Sequence, residues 1–378
     1  MRSIAFLIAL FSFYHCCYSQ PLFKQYPTNG LIAFSITEGK DSCVWFALGD
    51  GYGSGTVGCF VNSVGMLFSE ADGLPGASYE QIFIASDGVV WAGGYSTQKT
   101  NNVIIAKYTT NSWSPTFLKR TKENPIVKKI VEPFPGQVWL ATYGGVFYQR
   151  DTAWGLFSIS DGLPDEKVND ILADKAGRIW IGTESGVCLF DKGSFISFED
   201  AAVVGNVSTL FEDTRGYVWA GGKFNNDGVS VFDGIRWRTY TMEDGLAENS
   251  VGAITEDYYG RMWFGGYFDS RNGGATMLNN GKFSDYHYPE IAKYSVDCLS
   301  GDRFGGVWCG GSLKEKSKKG LSYYYKGKWS KLGATEGLMD DRIFNIYVDK
   351  RDRIWISTFS GLFVANLFET IKYIDANH

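Results

Sequence analysis

Apolar positions fall in short runs along this chain, each broken by a glycine-bearing polar turn before a helical stripe could develop. The fourth unit is the clearest. Val168 and Ile171 open a run ending at Ala173, and Asp174-Lys175-Ala176-Gly177 forms a turn in which the aspartate caps and the glycine takes the left-handed position. Arg178 to Gly182 carries Ile179, Trp180 and Ile181. Thr183 to Gly186 turns again, Val187 to Phe190 is a third run, Asp191 to Gly193 turns, and Ser194 to Phe198 is the fourth. Four short antiparallel strands are predicted within one unit, and no helix is predicted anywhere.

The unit recurs. An aliphatic residue precedes tryptophan at Trp45, Trp91, Trp139, Trp180, Trp219, Trp263, Trp308 and Trp355, at steps of 46, 48, 41, 39, 44, 45 and 47 residues. Aspartate stands six residues before the tryptophan at Asp174, Asp213, Asp257, Asp302 and Asp349, and glycine three before it at Gly88, Gly136, Gly177, Gly216, Gly260 and Gly305. A repeat of this length, each unit a four-stranded sheet that cannot bury both faces alone, predicts an all-β propeller with the tryptophans wedged between blades. Eight blades are expected, with seven as the alternative. Phe23 to Pro27 and Ile371 to Ile374 both read as outer strands, so the way the ring closes is left open between them.

Composition narrows the chemistry. The 378 residues carry a formal net charge of −5, which lacks the basic footprint of a nucleic-acid binder. Arg2, an apolar run from Ile4 to Phe13 and small residues at Cys17 and Ser19 describe a secretory signal peptide over residues 1–19, with the propeller over 20–378. The residues before Cys16 and Cys17 are too bulky for a lipoprotein signal. No other stretch is long and apolar enough to span a bilayer, so a periplasmic or secreted chain without a membrane span is expected. Export permits disulfides. Cys43 and Cys59 are expected on neighbouring strands of one blade, and Cys298 and Cys309, which flank the turn Asp302 to Gly305, are expected to face each other across a hairpin. Bridges and buried free thiols stay equally open for both pairs, and Cys188 has no evident partner.

A second signature links the blades. Asp72-Gly73-Leu74-Pro75, Asp161-Gly162-Leu163-Pro164, Asp244-Gly245-Leu246 and Glu336-Gly337-Leu338 each precede a new unit. Together with the Asp-x-x-Gly-x-Ile-Trp-x-Gly-Thr core at Asp174 to Thr183, the pattern resembles the two-component regulator propeller repeat over nearly the whole expected mature chain. The resemblance implies a periplasmic sensor domain of a hybrid two-component system, typically from Bacteroidetes, recognising oligosaccharides. The full-length sensors usually add a second propeller, a β-sandwich, a membrane helix, a kinase and a DNA-binding output, none of which is legible here. That leaves a stand-alone exported propeller or one part of a split sensor.

Ligand chemistry is expected on the loops joining the second and third strands, which share a face with the blade links. Three are minimal, at 142–145, 183–186 and 358–361. Five are long, at 49–55, 93–102, 221–228, 265–274 and 310–320. They hold Tyr95, Lys99, Lys223, Asn225, Asn226, Tyr267, Asp269, Arg271, Asn272, Lys314 and Lys316, an aromatic, amide-rich and cationic set suited to a saccharide or another polar ligand. An oligosaccharide or small polar ligand, with a membrane-bound sensor or envelope protein as partner, is therefore expected. Alternatives are a protein-interaction scaffold and a polysaccharide-active enzyme.

Catalysis is disfavoured. Beyond the signal segment the only histidines are His287 and His378, no Gly-x-Ser-x-Gly elbow occurs, and no zinc-ligand spacing appears. The Asp-x-x-Gly turns offer too few oxygens for calcium. No cofactor is expected.

Overall fold

The computed structural model describes residues 21–26, 28–61, 64–95, 102–119, 126–198, 205–222, 228–266, 273–287, 291, 295–311 and 319–377. Within them the strands form eight antiparallel sheets of four strands each. Blade 4 is typical: Val168–Ala173, Ile179–Thr183, Gly186–Asp191 and Ser194–Ser197 run outward in chain order. The inner strands begin at Ile32, Ser78, Val127, Val168, Val207, Val251, Cys298 and Ile343, and each packs against the inner strands on both sides, including the first against the eighth. The chain is an eight-bladed β-propeller.

Closure uses the N-terminal strand. Lys24–Tyr26 pairs antiparallel with Gly361–Asn366, so the first strand of the chain becomes the outer strand of blade 8. The edge ring of Tyr26 then lies 4.7 Å from Phe60 of blade 1, and Phe60 lies 5.1 Å from Trp355 of blade 8. The joint is therefore packed as well as hydrogen-bonded. The second candidate outer strand is corrected: Leu367–Asn377 is an α-helix, and its buried side chains are Leu367, Thr370, Ile371 and Ile374. That spacing puts one face of the helix on the core beside Ala365 and Phe363.

All eight repeat tryptophans are buried, five of them among the largest fully buried side chains. The aspartate six residues earlier explains the repeat. Asp174 Oδ1 accepts the backbone N–H of Arg178 at 2.9 Å and closes the turn, while its Oδ2 accepts the Trp180 indole N–H at 2.8 Å. Asp213, Asp257 and Asp349 accept from Trp219, Trp263 and Trp355 at 3.0, 2.8 and 2.8 Å in the same way. One carboxylate thus fixes the hairpin and the interblade wedge together.

Cys298 and Cys309 depart from the expected face-to-face register, and Cys43 and Cys59 are not directly opposite either. Trp45 stands opposite Cys59, and Leu299 opposite Cys309, so neither expected partner is directly across the ladder. Cys43, Cys59, Cys188, Cys298 and Cys309 are free thiols. Among the described residues no helix is long and apolar enough to cross a membrane.

Candidate functional site

Strand direction sorts the connections onto two faces. Asp-x-x-Gly turns and third-to-outer hairpins lie on one. The blade links and the second-to-third loops lie on the other, where strands end at Gly49, Tyr95, Gly222, Gly266 and Gly310 and resume at Gly55, Asn102, Val229, Gly274 and Lys319. Minimal loops on this face close on themselves: Thr142, Thr183 and Thr358 Oγ1 donate to the carbonyls of Gly145, Gly186 and Gly361 at 2.8, 2.9 and 3.0 Å.

The blade links are built by the Asp-Gly-Leu signature. Each forms one turn of 3₁₀ helix. The acid accepts the backbone N–H three residues back, from Ser69 to Asp72, Ser158 to Asp161, Thr241 to Asp244 and Gly333 to Glu336, at 2.7 to 2.9 Å. The glycine then takes a left-handed conformation, φ 116° at Gly162, where an added Cβ would stand 2.8 Å from Phe195. Leu74, Leu163, Leu246 and Leu338 follow and are buried. The motif delivers each inner strand to the channel at a fixed height.

At that height seven inner strands carry a register shift, skipping Phe34, Glu80, Lys128, Asn169, Ser208, Gly252 and Phe344. A bulge leaves the extra residue outside the ladder and re-aims its side chain. The preceding residue is buried in every case, whereas the bulged residue is half-buried or exposed. Neighbouring bulges reach each other across the blades. Asn169 Nδ2 donates to the Val207 carbonyl at 2.9 Å, Ser208 Oγ to the Val251 carbonyl at 3.0 Å, and the Phe34 and Phe344 rings lie 6.5 Å apart. The channel mouth therefore has a polar arc in blades 2 to 5, Glu80-Lys128-Asn169-Ser208, and an aromatic arc in blades 8 and 1.

Loop residues extend both arcs. Lys128 lies 5.3 Å over the Tyr143 ring, and Phe359, half-exposed, sits 6.4 Å from Phe344 under the Arg342 guanidinium at 4.1 Å. Asp50 Oδ1 holds the 49–55 loop by accepting the N–H groups of Tyr52 and Ser54 at 2.7 and 3.0 Å. Burial raises the Glu80 pKa above its ordinary value against the opposing charge of Lys128. Tyr95 is raised by burial and then by the negative charge of Glu80, with Ser78, Asp50 and Tyr52 also around it.

Of the residues expected from sequence, Tyr95 is described, half-buried at the end of its strand beside Glu80. Lys99, Lys223, Asn225, Asn226, Tyr267, Asp269, Arg271, Asn272, Lys314 and Lys316 lie outside the described residues. Sequence reasoning missed Phe34, Glu80, Lys128, Tyr143, Phe344 and Phe359. For Phe34, Glu80, Lys128 and Phe344 the signal was a residue directly after a buried position near the start of the strand, where alternation breaks. Tyr143 and Phe359 lie in the minimal loops and carried no such signal. His287 follows an outer strand, with Nδ1 2.8 Å from the Gly273 carbonyl and Nε2 3.1 Å from Asp285. Among the described residues no three His, Cys, Asp or Glu side chains group to hold a metal ion.

The two-component regulator propeller family model matches residues 162–185, 245–268 and 337–360. Each segment starts on the glycine of a blade link and runs through the inner and tryptophan strands into the next loop. These are two-component regulator propeller repeats. The chain is similar in fold to solved extracellular domains assigned to two hybrid two-component systems of B. thetaiotaomicron. One is 18% identical with a TM-score of 0.52 over 90% of this chain and 52% of that one. The other is 15% identical with a TM-score of 0.55 over 92% and 40%. The chain thus spans about half or less of those domains. A catalytically inactive virginiamycin B lyase from Staphylococcus aureus with quinupristin is 13% identical, with a TM-score of 0.56 over 90% and 98%. At such identities the likeness is one of fold. No curated protein matches the chain by sequence.

Proposed function

We propose that this propeller is an exported, non-catalytic recognition module that binds an oligosaccharide or comparably polar ligand at the loop-bearing channel mouth. It signals occupancy to a membrane-bound sensor or envelope partner. The observation that carries this reading is the pairing of the aromatic arc, Phe34 and Phe344, with the polar arc Glu80 to Ser208. Sugar rings stack on aromatic faces while their hydroxyls need paired donors and acceptors. Sensor-type role and export rest on the repeat and on the extracellular domains that share the fold.

The test is a glycan array on the purified chain, followed by calorimetry on the best glycan. Phe34→Ala with Phe344→Ala, and separately Tyr267→Ala with Arg271→Ala, should each abolish binding while the fold persists. Unchanged affinity in both rejects this rim. Mass analysis of the glycan after incubation should return it intact, and cleavage would replace recognition with catalysis.

A further inference from the structure

The seam between blades 5 and 6 differs from five of its counterparts on the face opposite the long loops. In five blades the third-strand residue paired with the one before the tryptophan is aromatic: Phe60, Tyr108, Phe190, Phe232 and Tyr324. Each ring packs on the tryptophan of the preceding blade, at 5.1 Å from Trp355, 5.3 Å from Trp45, 5.2 Å from Trp139, 5.2 Å from Trp180 and 4.9 Å from Trp263. Blade 6 has Leu278 in that place, next to Trp219. A cavity of about 280 Å³ lies beside it.

The walls of this cavity are cationic and aromatic. In blades 4, 6 and 8 an arginine two residues before the tryptophan fills the seam, its Nε on the turn aspartate at 2.7, 2.6 and 2.6 Å: Arg178, Arg261 and Arg353. Blade 5 puts Tyr217 there. Its guanidinium comes instead from Arg215, which pairs with Asp213 from the solvent side and lies 4.8 Å over the Tyr217 ring. Opposite, Arg238 lies 4.7 Å over Tyr240, and Arg236 completes the rim. Arg236 and Arg238 are exposed, and neither guanidinium hydrogen-bonds a carboxylate among the described residues. Asp233 is the one acid in the lining, and its Oδ1 is spent on the N–H groups of Ile235 and Arg236, both at 2.9 Å. With Arg215 held by Asp213, two further guanidinium groups, Arg236 and Arg238, face the single lining acid Asp233.

We propose that this cleft is a second binding site, for a small ligand carrying two or more carboxylate or phosphate groups. Guanidinium groups resting on phenol rings present their planar forks with little freedom left to lose, the geometry that carboxylates and phosphates accept in pairs. The cavity is close to the lower end of small-ligand pockets, which suits a compact polyanion. It lies on the face opposite the channel mouth and shares no lining residue with it.

Calorimetry and thermal shift with citrate and with pyrophosphate test it. Either ligand should bind with one-to-one stoichiometry in 150 mM salt, about the physiological ionic strength. Citrate alone identifies a carboxylate site and pyrophosphate alone a phosphate site. Arg236→Ala with Arg238→Ala should lower affinity at least tenfold. Leu278→Phe, which restores the ring present at the five other seams, should remove binding and leave the melting temperature equal or higher. No binding of either anion, binding lost at that salt concentration, or affinity unchanged in both variants would overturn the proposal.

Discussion

Trp308 and Tyr323 share one carboxylate oxygen. Asp302 Oδ2 accepts the indole N–H at 3.0 Å and the phenol O–H at 2.9 Å, and the two rings stack 3.9 Å apart. Burial and then the Asp302 charge push the Tyr323 phenol well above its ordinary pKa, so it donates to the carboxylate across the whole working range. Asp302 also accepts the backbone N–H groups of Phe304 and Gly306, both at 2.9 Å. Replacing Asp302 by alanine strands several buried donors at once. A loss of about 3–5 kcal/mol is expected in urea unfolding. A loss under about 0.5 kcal/mol, the range of ordinary surface changes, would mean that the carboxylate does not organise this blade.

Trp139 lacks the aspartate. Pro133 occupies the place six residues earlier, and the Trp139 indole N–H has no hydrogen-bond partner among the described residues. Trp180 donates to Asp174. Tryptophan-to-phenylalanine removes similar area at both sites but breaks a hydrogen bond to a charged group only at Trp180. Trp180→Phe should therefore cost about 1.5–3 kcal/mol more than Trp139→Phe. Equal losses would assign the tryptophans to packing alone.

The repeat was legible because turn, indole and link residues each perform a local task that leaves a fixed spacing. Asp174 and Trp180 are six apart since the carboxylate must reach back over one hairpin. Ring closure was legible only in part: the outer strand expected at Phe23 to Pro27 is present as Lys24–Tyr26, but the rival reading of Ile371 to Ile374 left the closing strand open. The C-terminal helix was missed through the wrong period: Leu367, Thr370, Ile371 and Ile374 follow helical spacing, but Ile371 to Ile374 viewed alone passes for a strand. The loop lengths were legible as well: the long second-to-third connections join strand ends on the face of the blade links. The mouth residues escaped because a bulge at Glu80 or Lys128 is a single polar residue in an apolar strand, indistinguishable by composition from an ordinary outward position.

Removing the first strand tests closure. A chain starting after Tyr26 would leave the edge of Gly361–Asn366 unpaired and strip Tyr26 from Phe60 and Trp355. Exposed strand edges invite pairing with other chains. Size-exclusion chromatography should show aggregates and calorimetry a lower melting temperature. A monomer of unchanged stability would show that blade 8 does not depend on this strand.

Glu80 gives a pH signature. Its folded pKa lies above the ordinary 4.5, so the folded state holds the proton more tightly than the unfolded chain. Stability from this group falls as pH rises from 4.5 through the folded value, then stays lower. Glu80→Gln removes that loss. The variant should be more stable than the parent at neutral pH, with the gap closing below pH 4.5. A variant less stable at neutral pH would mean that Lys128 outweighs burial there.

The thiols should be inert while folded. Burial pushes Cys43 and Cys188 up to about 12 and Cys59 to about 11, and raises Cys298 and Cys309 as well. Thiolate is the reactive form. Iodoacetamide at pH 8, close to the ordinary thiol value, should leave these five unmodified in the folded chain and label all five after unfolding without reductant. Labelling that appears only after reduction would establish disulfides at Cys43–Cys59 or Cys298–Cys309.

Hydrogen exchange with and without the best-binding glycan tests recognition at the channel mouth most directly. Protection is expected in the segments 78–102, 126–145 and 265–274, with the Asp-x-x-Gly turns of the opposite face unchanged. Protection confined to those turns, or none at saturating glycan, would contradict the assignment.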